Sequence, residues 1–217
     1  MSSRLGPRQR TRQRYRPVVA APADVALTLC AVVALAFFSV AAAPSPDGTA
    51  RTFDLQRSTM TVYVYKHGIF AFAADNHEVD APIASGSFDA PKRSVDLSVD
   101  ATKMRVLDPS MPADKRANVQ ANMSGPMVLD AGKYPAIEFR STKIEPAANG
   151  HWAVTGDLSL HGQTHSIVVD VVDNGETRFT GSATVRQTEF GITPIRIAGG
   201  TVKVRDDVKI VFDITLR

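Results

Sequence analysis

Apolar and polar residues alternate with period two along most of the chain after residue 52. The segment 94–100 reads SVDLSVD, so its valines and leucine point to one side and its aspartates and serines to the other. The same alternation recurs over 152–160, 178–186 and 208–216. Strict alternation is typical of strands with one buried and one solvated face, which favours an antiparallel sheet.

Short turn signals separate these runs, and short connections between alternating strands predict hairpins. The clearest predicted hairpin joins 151–160 to 164–172 through a turn at His161 and Gly162. The other turn signals are Ala-Pro-Lys at 90–92, Ala-Asn-Gly at 148–150, Asp-Asn-Gly at 173–175 and Ala-Gly-Gly at 198–200.

One segment breaks the alternation. Residues 112–125 begin with Pro, place Val119 and Met123 four apart, and end at Gly125, which predicts one short helix. Strands with one buried face need a second layer or closure on themselves, and a single helix cannot cover them. The pattern therefore predicts an all-β fold of about eight strands, closed as a barrel or a sandwich.

Charge is distributed unevenly along the 217 residues, which carry a formal net charge of +3. Residues 1–43 hold six arginines and one acid, so the remainder carries about −2. The body therefore has no positive excess to pair with phosphates, and a nucleic-acid partner is not expected. The single cysteine, Cys30, excludes a disulfide framework and a cysteine nucleophile after residue 43.

Residues 1–43 have the order of a targeting segment, because the arginines precede 19 uncharged residues at 25–43 that end in alanines. A cleaved secretory signal peptide has this order. A retained anchor is the alternative, since 19 apolar residues can just span a bilayer. Both predict a periplasmic or extracellular body, with 44–51 as a linker and 52–217 as the folded domain.

Several motifs resemble those of one family. Residues 133–142, KYPAIEFRST, are similar to its K-Y-P-x-I-x-F-x-S-T segment. Residues 154–164, VTGDLSLHGQT, are similar to its V-x-G-D-L-T-[IL]-x-G-x-T hairpin, and 189–192, EFGI, to its D-F-G-I. Residues 58–68 resemble its opening strand. The chain thus resembles the YceI-like, or polyisoprenoid-binding, family over about 53–216.

The resemblance implies an extended, lipocalin-like antiparallel barrel that holds a long isoprenoid, such as a quinone or polyprenyl phosphate, in an apolar tunnel with its head near the mouth. Family members are typically exported and non-catalytic, so no other cofactor is expected. A homodimer is left open. The segment 104–116, MRVLDPSMPADKR, lacks the R-D-x-H-L run often found there in the family.

The tunnel candidates are the apolar members of the alternating strands. Burying about 400 Å² of a lipid chain would contribute roughly 10 kcal/mol before entropy costs, without polar recognition along the tail. The alternative is a filled core in which the same side chains pack against one another. The candidates are Val62, Val95, Leu97, Val99, Ile137, Phe139, Leu158, Leu160, Ile167, Val169, Phe179, Ile210, Phe212 and Ile214.

A charged head group would need hydrogen-bond donors at one rim of the barrel. Lys66 and His67 end a predicted strand, and Lys103 and Arg105 follow another, so these four are the head-group candidates. The alternative is that they are ordinary solvated charges.

Catalytic and metal chemistry find little support. His161 and His165 lie across a hairpin turn, and a zinc site needs three or four convergent ligands. The chain has no G-x-S-x-G elbow. We therefore predict neither catalytic residues nor a metal site. Two alternative functions remain: a cell-envelope stress or interaction module with a filled core, and a histidine-based metalloenzyme.

Overall fold

A computed structural model describes residues 50–68, 76–175, 177–197 and 202–217. The predicted targeting segment lies outside this range. Within it, the search for helices long and apolar enough to span a bilayer finds none. Three short 3-10 segments are described, Ala101–Lys103, Ala148–Gly150 and Gln187–Phe190. The described residues also form one α-helix and twelve strands: β1 Arg51–Thr52, β2 Thr59–Gly68, β3 His77–Asp80, β4 Ile83–Asp89, β5 Ser94–Asp100, β6 Arg105–Val106, α1 Ala113–Ser124, β7 Ala136–Pro146, β8 His151–Leu160, β9 Gln163–Asp173, β10 Arg178–Arg186, β11 Arg196–Ile197 and β12 Val202–Thr215.

The strands form one antiparallel sheet in the order β1–β4–β5–β7–β8–β9–β10–β12–β2–β3–β6, with β11 paired to β12. Chain neighbours are mostly sheet neighbours, as short hairpins require. In the β8–β9 turn, His161 and Gly162 have φ of 53° and 75°, and Leu160 pairs with Gln163. Positive φ at both central residues is the type I′ geometry that matches strand twist. The predicted hairpin is confirmed.

The sheet curls so that β3 and β4 run on from one another as a nearly continuous strand between β2 and β5. Only Ala81 and Pro82 separate β3 from β4, and the ladder continues through them. Ala81 N donates to Met60 O of β2 at 2.9 Å, and Asp100 N of β5 donates to Pro82 O at 3.4 Å. If β3 and β4 count as one strand, eight long strands form the ring, since β1, β6 and β11 have two residues each. The predicted all-β, barrel-like fold with one helix is confirmed.

One end of the barrel, the filled end, is packed by segments outside the ring. The first cluster there joins Met104, Val106 and Leu129 to Val79 and Val99 of the sheet. A second cluster covers the same end from the opposite side of the barrel. It contains Ile192 and Phe190, the fully buried last residue of the turn Gln187–Phe190. The helix α1 packs against the first cluster through two of its own partly buried side chains, Val119 and Met123.

Candidate functional site: an apolar cavity in the barrel

The other end of the barrel is hollow. A cavity of about 340 Å³ runs along the inner faces of the sheet, and its walls are almost wholly apolar. The exposed turn residues Ala90 and Arg93 line it together with exposed Asp173 at the end of β9. Because these exposed residues belong to its wall, the cavity opens at this end of the barrel, which we call the open end.

The depth of the cavity follows from β9. Asp173, Val171, Val169 and Ile167 are successive inward positions on that strand, and all four line the cavity. Six residues of strand extend about 20 Å. Because barrel strands tilt by about 40° from the barrel axis, the depth along the axis is about 15 Å.

Twelve of the fourteen predicted tunnel residues line this cavity. The other two, Val62 and Leu160, pack against the clusters of the filled end. Alternation therefore identified the inward face of each strand, and position along the barrel separated the two sets. The twelve are Val95, Leu97, Val99, Ile137, Phe139, Leu158, Ile167, Val169, Phe179, Ile210, Phe212 and Ile214.

Several inward side chains retain accessible surface because they face empty space. Leu97, Val169 and Phe212 are only partly buried, although each points into the barrel. In a filled core such side chains would be closed off by their neighbours. The filled-core alternative does not describe this end of the molecule.

Sequence reasoning missed part of the wall. Phe53 precedes the alternating strands, and Trp152 sits at the start of β8, yet both line the cavity. The sequence around each of them does not distinguish an aromatic residue that lines a cavity from one that packs in a filled core. The remaining additions are Met60, Phe88, Ala90, Arg93, Ile144, Val154, Val171, Asp173, Ala183 and Leu216.

The charges near the open end are mostly paired. Lys92 Nζ lies 2.7 Å from Asp89 Oδ2. This hydrogen bond lowers the pKa of the Asp89 carboxyl and raises the pKa of Lys92. Asp173 Oδ1 accepts from Gly175 N at 2.9 Å and so closes the β9–β10 turn.

Three of the four predicted head-group residues, those with described side chains, lie away from the cavity. Lys103 pairs with Asp100 at 2.9 Å, and Arg105 is exposed on β6, beside the filled end. Lys66 lies near the end of β2, where its backbone N donates to Asn76. The side chain of His67 lies outside the description. None of the three described side chains lines the cavity, whose cationic wall residue is Arg93.

The four described histidines have structural partners. His161 Nδ1 lies 3.1 Å from Phe190 O, and the His165 ring packs edge-on against the Phe190 ring at 5.1 Å between centroids. His151 pairs with Asp170, and His77 with Asp108. In the described part of the chain, no group of three or more His, Cys, Asp or Glu side chains converges as a metal site would require. Both hairpin histidines contact Phe190, in the turn that covers the filled end.

Comparison with known proteins assigns the fold and family. A UPF0312 protein of Pseudomonas savastanoi pv. phaseolicola is 34% identical over 116 residues, 49% of this chain and 57% of its own length. A UPF0312 protein of Vibrio cholerae is 36% identical over 73 residues, 30% of this chain and 39% of its own length. The matched region thus spans 57% of the length of the first relative and 39% of the length of the second.

Two solved structures share the fold. BcnA of Burkholderia cenocepacia has a TM-score of 0.55 at 23% identity, over 75% of this chain and 98% of its own. A polyisoprenoid binding domain from Saccharophagus degradans, implicated in plant cell wall breakdown, has a TM-score of 0.54 at 13% identity, over 77% and 98%. The YceI-like domain matches residues 52–216. The chain therefore belongs to the YceI-like domain family, as its motifs predicted.

Proposed function

We propose that this protein is an exported, non-catalytic binding protein that holds the apolar chain of an isoprenoid or a similar lipid inside its barrel. The observation that carries the proposal is the cavity of about 340 Å³ with an apolar wall and one open end. Apolar surface leaving water supplies about 25 cal/mol per Å², so such a wall favours a hydrocarbon chain without hydrogen bonds along it.

The comparisons support the same class of ligand. One structural neighbour is described as a polyisoprenoid binding domain. Its likeness to this chain concerns the fold, and the ligand carried over to this protein is our proposal. The alternative, an envelope interaction module with a filled core, does not account for an open cavity of this size.

Trp152 provides the readout for a binding test. It is the single tryptophan of the sequence and it lines the cavity. A hydrocarbon chain that replaces water beside its indole changes the fluorescence emission. Titration with farnesol, a neutral fifteen-carbon isoprenoid, is expected to shift the Trp152 emission to shorter wavelength and to saturate at one equivalent.

Two adjacent residues of β9 give a matched pair of variants. Val169 lines the cavity, whereas Val168 points outward and is 59% exposed. Val169→Phe places a ring in the cavity and is expected to weaken farnesol binding at least tenfold while the protein stays folded. Val168→Phe adds the same ring outside and is expected to bind like the wild type.

The binding proposal fails if farnesol leaves the Trp152 emission unchanged and an organic extract of the protein, purified from a host with native membranes, contains no stoichiometric apolar compound. Equal farnesol affinities for Val169→Phe and Val168→Phe would place the ligand outside the cavity.

Export is proposed from composition alone, since 1–43 combine arginines with an apolar run. N-terminal sequencing and fractionation of the full chain test it. A cut near residue 42 in the periplasm or medium supports a signal peptide, and an intact chain in the membrane fraction supports the anchor. An intact chain in the cytosol would overturn export.

A further inference from the structure

We propose that Arg93 binds the anionic head group of a single-chain amphiphile whose chain occupies the cavity. This inference rests on the proposed lipid-binding function and adds the charge of the head, the residue that holds it and the length of the chain.

Arg93 stands at the open end in the turn between β4 and β5. Of the charged residues that line the cavity, it is the cation and Asp173 is the anion. Its side chain is exposed, and among the described residues it makes neither a hydrogen bond nor an ion pair. Its neighbour Lys92 is already paired with Asp89 at 2.7 Å. The guanidinium of Arg93 is therefore available to a ligand.

A guanidinium at this place suits an oxyanion. Its planar N–H groups form paired hydrogen bonds with a carboxylate or phosphate, and these charge-assisted bonds are stronger than those to a neutral hydroxyl. An apolar chain alone needs no such group. The combination of a hydrocarbon-compatible wall and one unpaired cation at its opening matches a molecule with a charged head and an apolar tail.

Asp173 limits the effect, since its carboxylate lines the same cavity and repels an anionic head. Its oxygen is already bonded to Gly175 N, which fixes the carboxylate in the turn. Replacement by asparagine keeps an oxygen acceptor for Gly175 and removes the charge. The Asp173→Asn variant therefore measures the sign of the ligand charge independently of Arg93.

The volume of the cavity sets the chain length. An apolar protein cavity of about 150 Å³ holds benzene, so the 340 Å³ found here has room for roughly 14 carbon atoms. A long polyprenyl tail would leave most of its length outside. The geometry points instead to a single chain of about 12 to 16 carbons, such as a fatty acid or a short prenyl phosphate.

The experiment compares head groups at constant tail. Trp152 emission and calorimetry would follow four probes below their micellar concentrations: tetradecanoate, tetradecanol, farnesyl phosphate and farnesol. The wild type is expected to bind each anion at least fivefold more tightly than the matching alcohol at low salt, and added NaCl is expected to reduce the difference. Tetradecanoate and farnesyl phosphate distinguish a carboxylate from a phosphate source.

Three variants assign the effect. Arg93 has φ of 50°, in the left-handed region, where β-branched residues are strained. Glutamine is therefore used as the replacement, because it is not β-branched. Arg93→Gln is expected to remove the preference for anions and to leave the alcohol affinities within twofold. Lys92→Gln, which deletes the same charge one residue away, is expected to retain the preference. Asp173→Asn is expected to increase anion affinity about twofold to threefold.

Chain length is tested with the saturated acids of 8, 14 and 20 carbons. Affinity is expected to rise steeply from 8 to 14 carbons and little from 14 to 20. Equal affinities of acids and alcohols, or equal effects of Arg93→Gln and Lys92→Gln, would overturn the role of Arg93 and leave lipid binding standing. If neither alcohols nor acids bind, the proposed function itself fails.

Discussion

The ring of Phe53 occupies the space in which a side chain on Gly86 would stand. A Cβ atom built on Gly86 would lie 2.2 Å from Cδ2 and 2.4 Å from Cε2 of Phe53. Phe139 covers Gly156 and Phe212 covers Gly181 in the same way, with ring atoms 2.4 Å and 2.5 Å from the ideal Cβ positions. Each ring thus lies close to the backbone of the barrel wall, and this arrangement leaves room for the cavity that all three line.

Gly86→Ala is expected to displace the Phe53 ring. The three nearest atoms to the new Cβ all belong to that ring, so the backbone has no need to move first. Phe53 lines the cavity and is 5% exposed, so the displaced ring either enters the cavity or loses its packing. We expect a loss of about 1–3 kcal/mol in unfolding free energy and weaker farnesol binding. Urea denaturation and Trp152 titration measure the two effects.

Gly132 provides the control. A Cβ on Gly132 meets nothing within 4 Å, so Gly132→Ala is expected to change stability by less than about 1 kcal/mol and farnesol affinity not at all. If Gly86→Ala behaves like Gly132→Ala in both measurements, the position of the Phe53 ring does not depend on the absence of a side chain at residue 86.

Local pattern was sufficient for the strands with strict alternation and for their inward faces, because side-chain direction in a strand depends only on alternation. The bounds of β5 and β8 agree with the predicted segments 94–100 and 151–160. Which end of the barrel is hollow depends on long-range packing instead. The segment around α1 and the turn ending at Phe190 fill one end, and alternation within the ring strands does not show where these segments pack.

The head-group candidates show the consequence. Lys103 and Arg105 are predicted head-group residues because they follow a strand, yet the end of that strand lies beside the filled end. Arg93 lies in the turn before β5, at the opposite end of the same strand, and lines the cavity. From sequence alone, Arg93 and Lys103 are equally plausible head-group residues, because each lies next to one end of β5. Only the packing of the segment after β5 distinguishes them.

Asp108 attaches the loop after β6 to β3. Its Oδ1 accepts from Glu78 N at 2.9 Å, its Oδ2 contacts His77 Nδ1, and the residue is 6% exposed. Asp108→Ala leaves two partly buried groups, Glu78 N and the His77 ring, without this partner, and an unpaired buried donor costs about 1–3 kcal/mol. We expect a loss of about 2–4 kcal/mol in unfolding free energy, measured by urea denaturation.

An exposed ion pair is the comparison for Asp108. Asp96 and Arg140 pair at 2.7 Å across β5 and β7, with side chains 49% and 81% exposed. Asp96→Asn is expected to cost less than about 1 kcal/mol. A cost for Asp108→Ala no greater than that for Asp96→Asn would show that the loop does not depend on this carboxylate.

Gln120 fastens α1 to the sheet. The helix has no fully buried residue, but its Gln120 pairs with the backbone beside β6. Gln120 Nε2 donates to Met104 O and Gln120 Oε1 accepts from Val106 N, each at 2.9 Å. The side-chain amide thus continues the ladder as a neighbouring strand would. Gln120→Ala is expected to increase hydrogen exchange at the Val106 amide and along α1 by at least fivefold.

Asn118 is exposed on the same helix, so Asn118→Ala serves as the control for helix propensity. It is expected to leave the Val106 amide as protected as in the wild type. Unchanged protection in Gln120→Ala would mean that Val119 and Met123 alone hold the helix in place.

Asp100 carries the clearest pH dependence in the described chain. Its carboxylate accepts hydrogen bonds from the Thr102 hydroxyl, from Lys103 and from Thr102 N, and these lower its pKa from 3.8 to about 2. The unfolded chain therefore binds this proton at higher pH than the folded one. The contribution of Asp100 to stability is present above about pH 4 and is lost as the pH falls from about 4 to about 2.

Thr102→Val removes the hydroxyl that makes the largest contribution to this shift. We expect the pKa of Asp100, followed by carboxyl carbon NMR, to rise toward 3.8, with less loss of stability between pH 4 and pH 2. Lys103→Gln is also expected to raise the pKa, because it removes the ammonium that pairs with the carboxylate at 2.9 Å. A wild-type Asp100 that already titrates near 3.8, or an unchanged pKa in Thr102→Val, would contradict this account of the turn after β5.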